Sequence, residues 1–130
     1  MSFNWAPFGP SRDDDPAAPA AGLPRRPARG LAVLTCMDCR IDPLTALGLA
    51  LGDAVVLRNA GAQASEDVLR SLRVARDVLG VTTVHVVAHT DCAAHEGDDE
   101  SAEADAHRVA ARIHEALPGL TTQASIIDVR

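Results

Sequence analysis

The chain has 130 residues, enough for one domain, with a formal net charge of −6 and no lysine; every basic residue is Arg. An acidic chain without a basic stripe argues against nucleic acid as the main partner. No apolar run reaches membrane-spanning length, and the N-terminus lacks the charged start and apolar stretch of a signal peptide, so no membrane association and a cytoplasmic location are expected.

Residues 1–28 carry Asp13-Asp14-Asp15 and the Pro/Ala-rich run Pro16–Pro24. Too few large apolar side chains stand here to offset chain entropy, and the segment reads as a flexible arm ahead of an α/β domain over residues 29–130. Phe3, Trp5 and Phe8 are the only aromatic residues, so the core must be aliphatic. Aromatic anchors are enriched at interface hot spots, and Phe3–Phe8 reads equally as a frayed end or as an arm docking on a partner subunit.

Leu31–Thr35 is a short apolar run, a buried strand ending at Cys36. Asp42-Pro43 opens a helix, with Leu44, Leu47 and Leu51 at helical spacing and Gly52 as its stop. Ala54–Leu57 is a second strand, running out at Arg58-Asn59. Ser65 caps the next helix, Glu66 and Asp67 complement its dipole, and Val68, Leu72, Ala75 and Leu79 form its apolar stripe. Thr82–Ala88, rich in β-branched residues, is a third strand ending at His89. Glu96–Glu103 reads as a mobile acidic loop. Ala106, Val109, Ala110, Ile113 and Leu117 mark a last amphipathic helix, and Ser125–Val129 a last strand. Alternating strands and helices predict an α/β fold, a central, mainly parallel four-stranded sheet flanked by helices.

In such sheets ligands bind beyond the carboxyl ends of the strands, near a switch in strand order. Cys36, Arg58 and His89 each follow the last apolar residue of a predicted strand, which gathers three separated polar positions on one edge. His89-Thr90-Asp91-Cys92 sets an imidazole and a thiol three residues apart, close enough to face one point across a tight turn. Two thiolates and one imidazole suit Zn2+ and leave a fourth position for water, so Cys36, His89 and Cys92 are the candidate metal ligands. Three cysteines, an odd number, also fit a reducing compartment where thiols serve metals or chemistry.

Cys36-Met37-Asp38-Cys39-Arg40, Arg58-Asn59-Ala60-Gly61 and His89-Thr90-Asp91-Cys92, in that order, resemble the β-class carbonic anhydrases, as do Arg70-Ser71-Leu72 and Leu79-Gly80 between them. The resemblance runs from about Gly30 to about Ala94. It implies a zinc enzyme that hydrates carbon dioxide reversibly to bicarbonate, with zinc providing hydroxide near neutral pH, working as a homodimer or higher homo-oligomer. It further implies that Asp38 accepts a hydrogen bond from the zinc-bound water, that Arg40 keeps Asp38 ionised, and that Asn59, Ala60 and Gly61 line the pocket. In a closed form of such enzymes the residue matching Asp38 takes the fourth metal position itself.

The sequence departs from this family at three places. Cys39 replaces the usual Ser or Ala and creates Cys36-x-x-Cys39; Ala93 replaces the usual Gly and is expected to crowd the zinc loop; the segment after Cys92 is short, so pocket walls or dimer contacts are expected to be missing. These departures support three alternatives. One is a structural or regulatory zinc protein with Cys36, Cys39, His89 and Cys92 closing a four-ligand site. Another is a carbonyl sulfide or carbon disulfide hydrolase on the same scaffold. The third, a Cys36–Cys39 dithiol redox protein, leaves His89 and Cys92 unexplained. His95 stands near the ligands as a candidate proton relay, and His85 reads as a packed strand residue.

Overall fold

Four parallel strands in the order β2-β1-β3-β4 form the sheet of the computed structural model, which describes residues 20–130. Phe3, Trp5, Phe8 and most of the expected arm lie outside the described residues. Just ahead of the sheet, Ala28 and Arg29 donate backbone hydrogen bonds to Gly52 and Asp53, at 2.8 and 3.0 Å.

Strand β1 (Leu31–Cys36) is central and buried from Ala32 to Cys36, as its unbroken apolar run requires. Helix α1 (Pro43–Leu47) starts at proline after Asp42 but ends at Gly48, not at the expected Gly52. Gly48 takes the left-handed conformation, φ +67°, and its N–H turns back to the carbonyls of Leu44 and Thr45. This early stop leaves Leu51 half exposed, and α1 buries none of its residues. The Asp42 side chain accepts from the Thr45 hydroxyl at 2.7 Å instead of capping the backbone.

Strand β2 (Ala54–Asn59) forms one edge, in register with β1 from Leu31↔Ala54 to Cys36↔Asn59. Helix α2 (Glu66–Asp77) has the predicted cap, with Ser65 Oγ accepting from Val68 N at 3.3 Å, and it buries Val68, Leu69, Leu72 and Ala75. Strand β3 (Thr83–His89) lies on the other side of β1 and carries β4 (Thr121–Ile127) on its far edge.

Two expectations are corrected between β3 and β4. The acidic stretch is a loop only as far as Asp98: Asp98 caps helix α3 (Asp99–Ala116), accepting from Ser101 N at 3.1 Å, and Asp99 and Glu100 sit in its first turn. Negative charge at a helix N-terminus is favoured by the helix dipole, so the acidic run is a start signal. Strand β4 begins at Thr121, four residues ahead of the expected Ser125, because the pairing with β3 begins at Thr83↔Thr121.

The main core lies where α2 and α3 pack on one face of the sheet, around Leu34, Leu72, Val84, Val86, Ile113, Leu117 and Leu120, and it is wholly aliphatic. From β1 the chain passes to β2 on one side and then to β3 on the other, so strand order switches at β1. A crevice beyond the carboxyl ends of β1 and β3 is where such a sheet places its ligands.

Candidate metal centre

Cys36 closes β1, His89 closes β3, and Cys92 follows three residues later. All three are buried, at 5%, 1% and 3% relative exposure, and their donor atoms lie within 4.8 Å of one another. The two sulfurs are 3.9 Å apart. His89 Nδ1 lies 2.7 Å from the Thr90 carbonyl oxygen. A carbonyl only accepts, so Nδ1 carries a proton, and in the neutral ring this leaves the lone pair on Nε2. His89 Nε2 is buried and has no hydrogen-bond partner among the described residues. An unpaired buried imidazole nitrogen costs free energy that coordination would recover, and the second nitrogen is oriented as metal-bound histidines usually are. The donor set fits zinc with an open fourth position.

The turn joining His89 to Cys92 passes through Asp91 at φ +53°, a conformation that Asp tolerates better than most residues. Gly61 N donates to Cys36 Sγ at 3.4 Å. Burial raises the Cys92 thiol pKa, and the neighbouring Cys36 adds to this, while the backbone N–H groups of Ala94 and His95 work the other way. These N–H groups draw charge from the sulfurs, which suits a metal that must remain acidic despite two thiolate ligands.

Asp38 sits at the rim, its Oδ2 3.8 Å from His89 Nε2. Arg40 grips it three times, with the backbone N at 2.8 Å and Nε at 3.0 Å to Oδ1, and Nη2 at 2.7 Å to Oδ2. Hydrogen bonds from the Arg40 side chain, then from its backbone, hold the Asp38 carboxyl well below the usual carboxylate range. Arg58 fixes the same loop from the edge strand, donating to the carbonyls of Cys36 and Asp38 at 2.9 and 2.7 Å. The strand-end position of Arg58 is legible in the sequence; its work on the backbone of the ligand loop is not.

Gly61 lines a small cavity beside the donors, together with Ala62, Ala88, His95 and Ala102. Asn59 shapes the loop instead: its amide donates to Gln63 O at 2.9 Å and its Oδ1 accepts from Gln63 N at 2.7 Å. Ala60 is exposed. Ala93 is exposed too and opens a single 3-10 turn (Ala93–His95), so its methyl group does not crowd the donors. Cys39 is exposed and stands outside the donor cluster; the four-ligand arrangement with Cys36, His89 and Cys92 is not formed.

His95 Nε2 lies 3.1 Å from Asp105 Oδ2, which also accepts from Gln63 Nε2 at 2.6 Å. Burial opposes ionisation of Asp105, but the hydrogen bonds from Gln63 and His95 outweigh it and lower the pKa. No motif announces this trio, because Gln63, His95 and Asp105 come from three separate segments. His85 is half-buried, 2.9 Å from Ser125 Oγ, and burial lowers its pKa. His114 Nδ1 lies 3.1 Å from the Leu120 carbonyl, remote from the cluster in the fold.

Residues 31–126 match the family model described as carbonic anhydrase. Beta-carbonic anhydrase 1 of Mycobacterium tuberculosis is 41% identical over 70 residues, 54% of this chain and 43% of that protein. A carbon disulfide hydrolase of Saccharolobus solfataricus is 37% identical over 81 residues, 62% of this chain and 39% of the relative. The matches thus span less than half the length of these two relatives. Among solved structures, a carbonic anhydrase from Streptococcus mutans superposes with a TM-score of 0.69 at 32% identity, covering 84% of this chain and 81% of its own. One from Glaciozyma antarctica gives 0.70 at 27% identity, over 91% and 92% of the two chains.

Proposed function

The chain belongs to the β-class carbonic anhydrase family, and from that premise we propose that it holds one zinc ion through Cys36, His89 and Cys92 and hydrates carbon dioxide reversibly to bicarbonate. The observation that carries this reading is the buried, partnerless Nε2 of His89 beside two buried thiols, with an ionised carboxylate at the rim. Zinc at such a site supplies a Lewis acid that lowers the pKa of a water to about 7. Asp38, ionised through Arg40, can only accept a hydrogen bond, and so it orients the O–H of the nucleophile and fixes its remaining lone pairs. Gly61, Ala62, Ala88 and Ala102 wall the small cavity beside the donors with apolar groups. Of the segment Asn59-Ala60-Gly61, Gly61 lines this cavity, Asn59 holds the loop that presents it, and in our reading exposed Ala60 faces the approach to the site.

A second reading is favoured by the similarity to carbon disulfide hydrolases. The substrate class is then still a heteroallene, and the same residues act. We further read the protein as a cytoplasmic homodimer. Three free thiols suit a reducing compartment, and half-exposed Leu51, exposed Met37 and a helix α1 that buries nothing leave apolar surface for a second copy. Among the described residues no helix is long and apolar enough to cross a membrane.

The deciding experiment is stopped-flow hydration of carbon dioxide by protein of measured zinc content, with carbon disulfide as the parallel substrate. About one zinc per chain and hydration that disappears on chelation are expected. Freshly purified protein without zinc overturns the reading; zinc with turnover of carbon disulfide alone moves it to the second.

A further inference from the structure

One guanidinium joins the loops that follow β1 and β3, beside the candidate metal donors. Arg40 reaches Asp38 through Nε and Nη2, at 3.0 and 2.7 Å. The same group reaches Asp91, with Nη1 3.1 Å from the carboxylate and Nη2 3.0 Å from the backbone carbonyl. Asp91 is itself held from behind, its N–H donating to Asp99 Oδ1 at 2.9 Å; Asp99 in turn pairs with Arg130. The left-handed backbone at Asp91 accompanies this arrangement, in which its carbonyl and carboxylate both meet Arg40.

The geometry matters because Asp38 has two possible partners. A carboxylate is itself a zinc ligand, and Asp38 Oδ2 lies only 3.8 Å from a donor atom of the cluster. A modest rotation would carry it from Arg40 to the metal and close the fourth position. What opposes that rotation is the placement of Arg40. A guanidinium is planar, with its donors in a rigid fork. Anchored at one end on Asp91 it can present only one edge to Asp38; released from Asp91 it would follow Asp38 or turn to solvent, since its side chain is 40% exposed.

We propose that Asp91 is a positioning residue that acts through Arg40 to hold Asp38 away from the fourth metal position. This inference rests on the zinc reading above. It predicts that the openness of the metal site depends on a side chain that is not a donor.

The test uses the full chain loaded with cobalt(II) and titrated with azide, which binds an open metal position and changes the visible spectrum. Asp91→Gly removes the side chain while accommodating φ +53°. Apparent azide affinity should fall about fivefold, the scale of a partly exposed ion pair. Asp91→Asn keeps an acceptor and tolerates the same backbone conformation, and should lose less. In an Asp38→Asn background, Asp91→Gly should have no effect on azide affinity. Equal azide affinity in wild type and Asp91→Gly would overturn the proposal. So would a loss that persists in the Asp38→Asn background, since Asp91 would then be acting on the metal loop directly. A wild-type chain that takes up neither cobalt nor zinc defeats the parent reading instead, and metal content measured beforehand separates the two failures.

Discussion

Asp38 Oδ2 and His89 Nε2 lie 3.8 Å apart, although Asp38 stands in the loop after β1 and His89 ends the adjacent strand β3. The parallel pairing of β1 and β3 creates this proximity, because it brings the two carboxyl ends to one edge. A carboxylate that only accepts hydrogen bonds thereby stands next to the nitrogen that would hold the metal.

Asp38→Asn should therefore keep about one zinc per chain and lose about 10²–10⁴-fold in hydration rate, the usual scale for a positioned acid–base group. Zinc analysis and stopped-flow assay on the same preparation check this. An Asn variant as active as wild type would show that Asp38 does not orient the nucleophile.

Cys36→Ser, His89→Ala and Cys92→Ser should each release the metal. Because a metal bound only by the native fold stabilises it, added zinc should raise the melting temperature of wild type and not of the variants. Differential scanning calorimetry with and without chelator measures the difference. A zinc-dependent shift that survives in Cys92→Ser would remove that residue from the ligand set.

Cys39→Ser should leave zinc content and hydration unchanged within about twofold, since exposed substitutions away from special features are usually small in effect. The cobalt-substituted wild type should show charge-transfer absorption for two thiolates. Intensity for three would mean that Cys39 reaches the metal in solution.

Gly61→Ala tests the floor of the cavity. Gly61 has φ +77°, and an added Cβ would stand 3.0 Å from Ala94 Cβ and 3.3 Å from His95 Cε1. Left-handed backbone alone costs a residue with a Cβ roughly 1–2 kcal/mol. Chemical denaturation should show at least that loss, together with weaker zinc retention, because Gly61 N also bonds the Cys36 sulfur.

Asp105 gives a pH dependence of known sign. Its folded-state pKa lies below the ordinary 3.8, so its stabilising contribution is present above that value and is lost as pH falls through the folded pKa. Asp105→Asn should cost about 1.5–3 kcal/mol near neutrality, the scale of a hydrogen bond to a charged group. The gap between variant and wild type should narrow below about pH 4, where the unfolded carboxyl takes up its proton. A gap that stays constant down to pH 2.5 would show that the Gln63–His95–Asp105 contacts do not depend on charge.

The sheet and the donors were legible for a common reason. Unbroken apolar runs such as Leu31–Thr35 mark buried parallel strands, and residues that end such runs fall on one edge. Gly48 was harder to read, because Leu51 continues the helical spacing beyond it and only the left-handed turn at Gly48 settles the end of α1. The acidic run at Asp98 hid a helix start behind a composition that also suits a loop. The clamp on Asp91 and the contacts of His95 with Asp105 had no local signature, since side chains reach across 51 and 10 positions to make them, in the first case to the Asp91 carbonyl as well as its carboxylate.

The sulfurs of Cys36 and Cys92 are separated by 56 positions in sequence. Between them lie α1, β2, α2 and β3. A metal held at both ends would turn this stretch into a closed ring that keeps its ends together even when β2 and α2 come loose. Local opening of the edge strand would then begin from a tethered chain with less entropy to gain, and the cost of closing so long a loop would not recur each time the strand re-pairs. Amide hydrogens of β2 should consequently exchange more slowly in the metal-loaded protein than in the chelated one, although none of them lies on a donor residue.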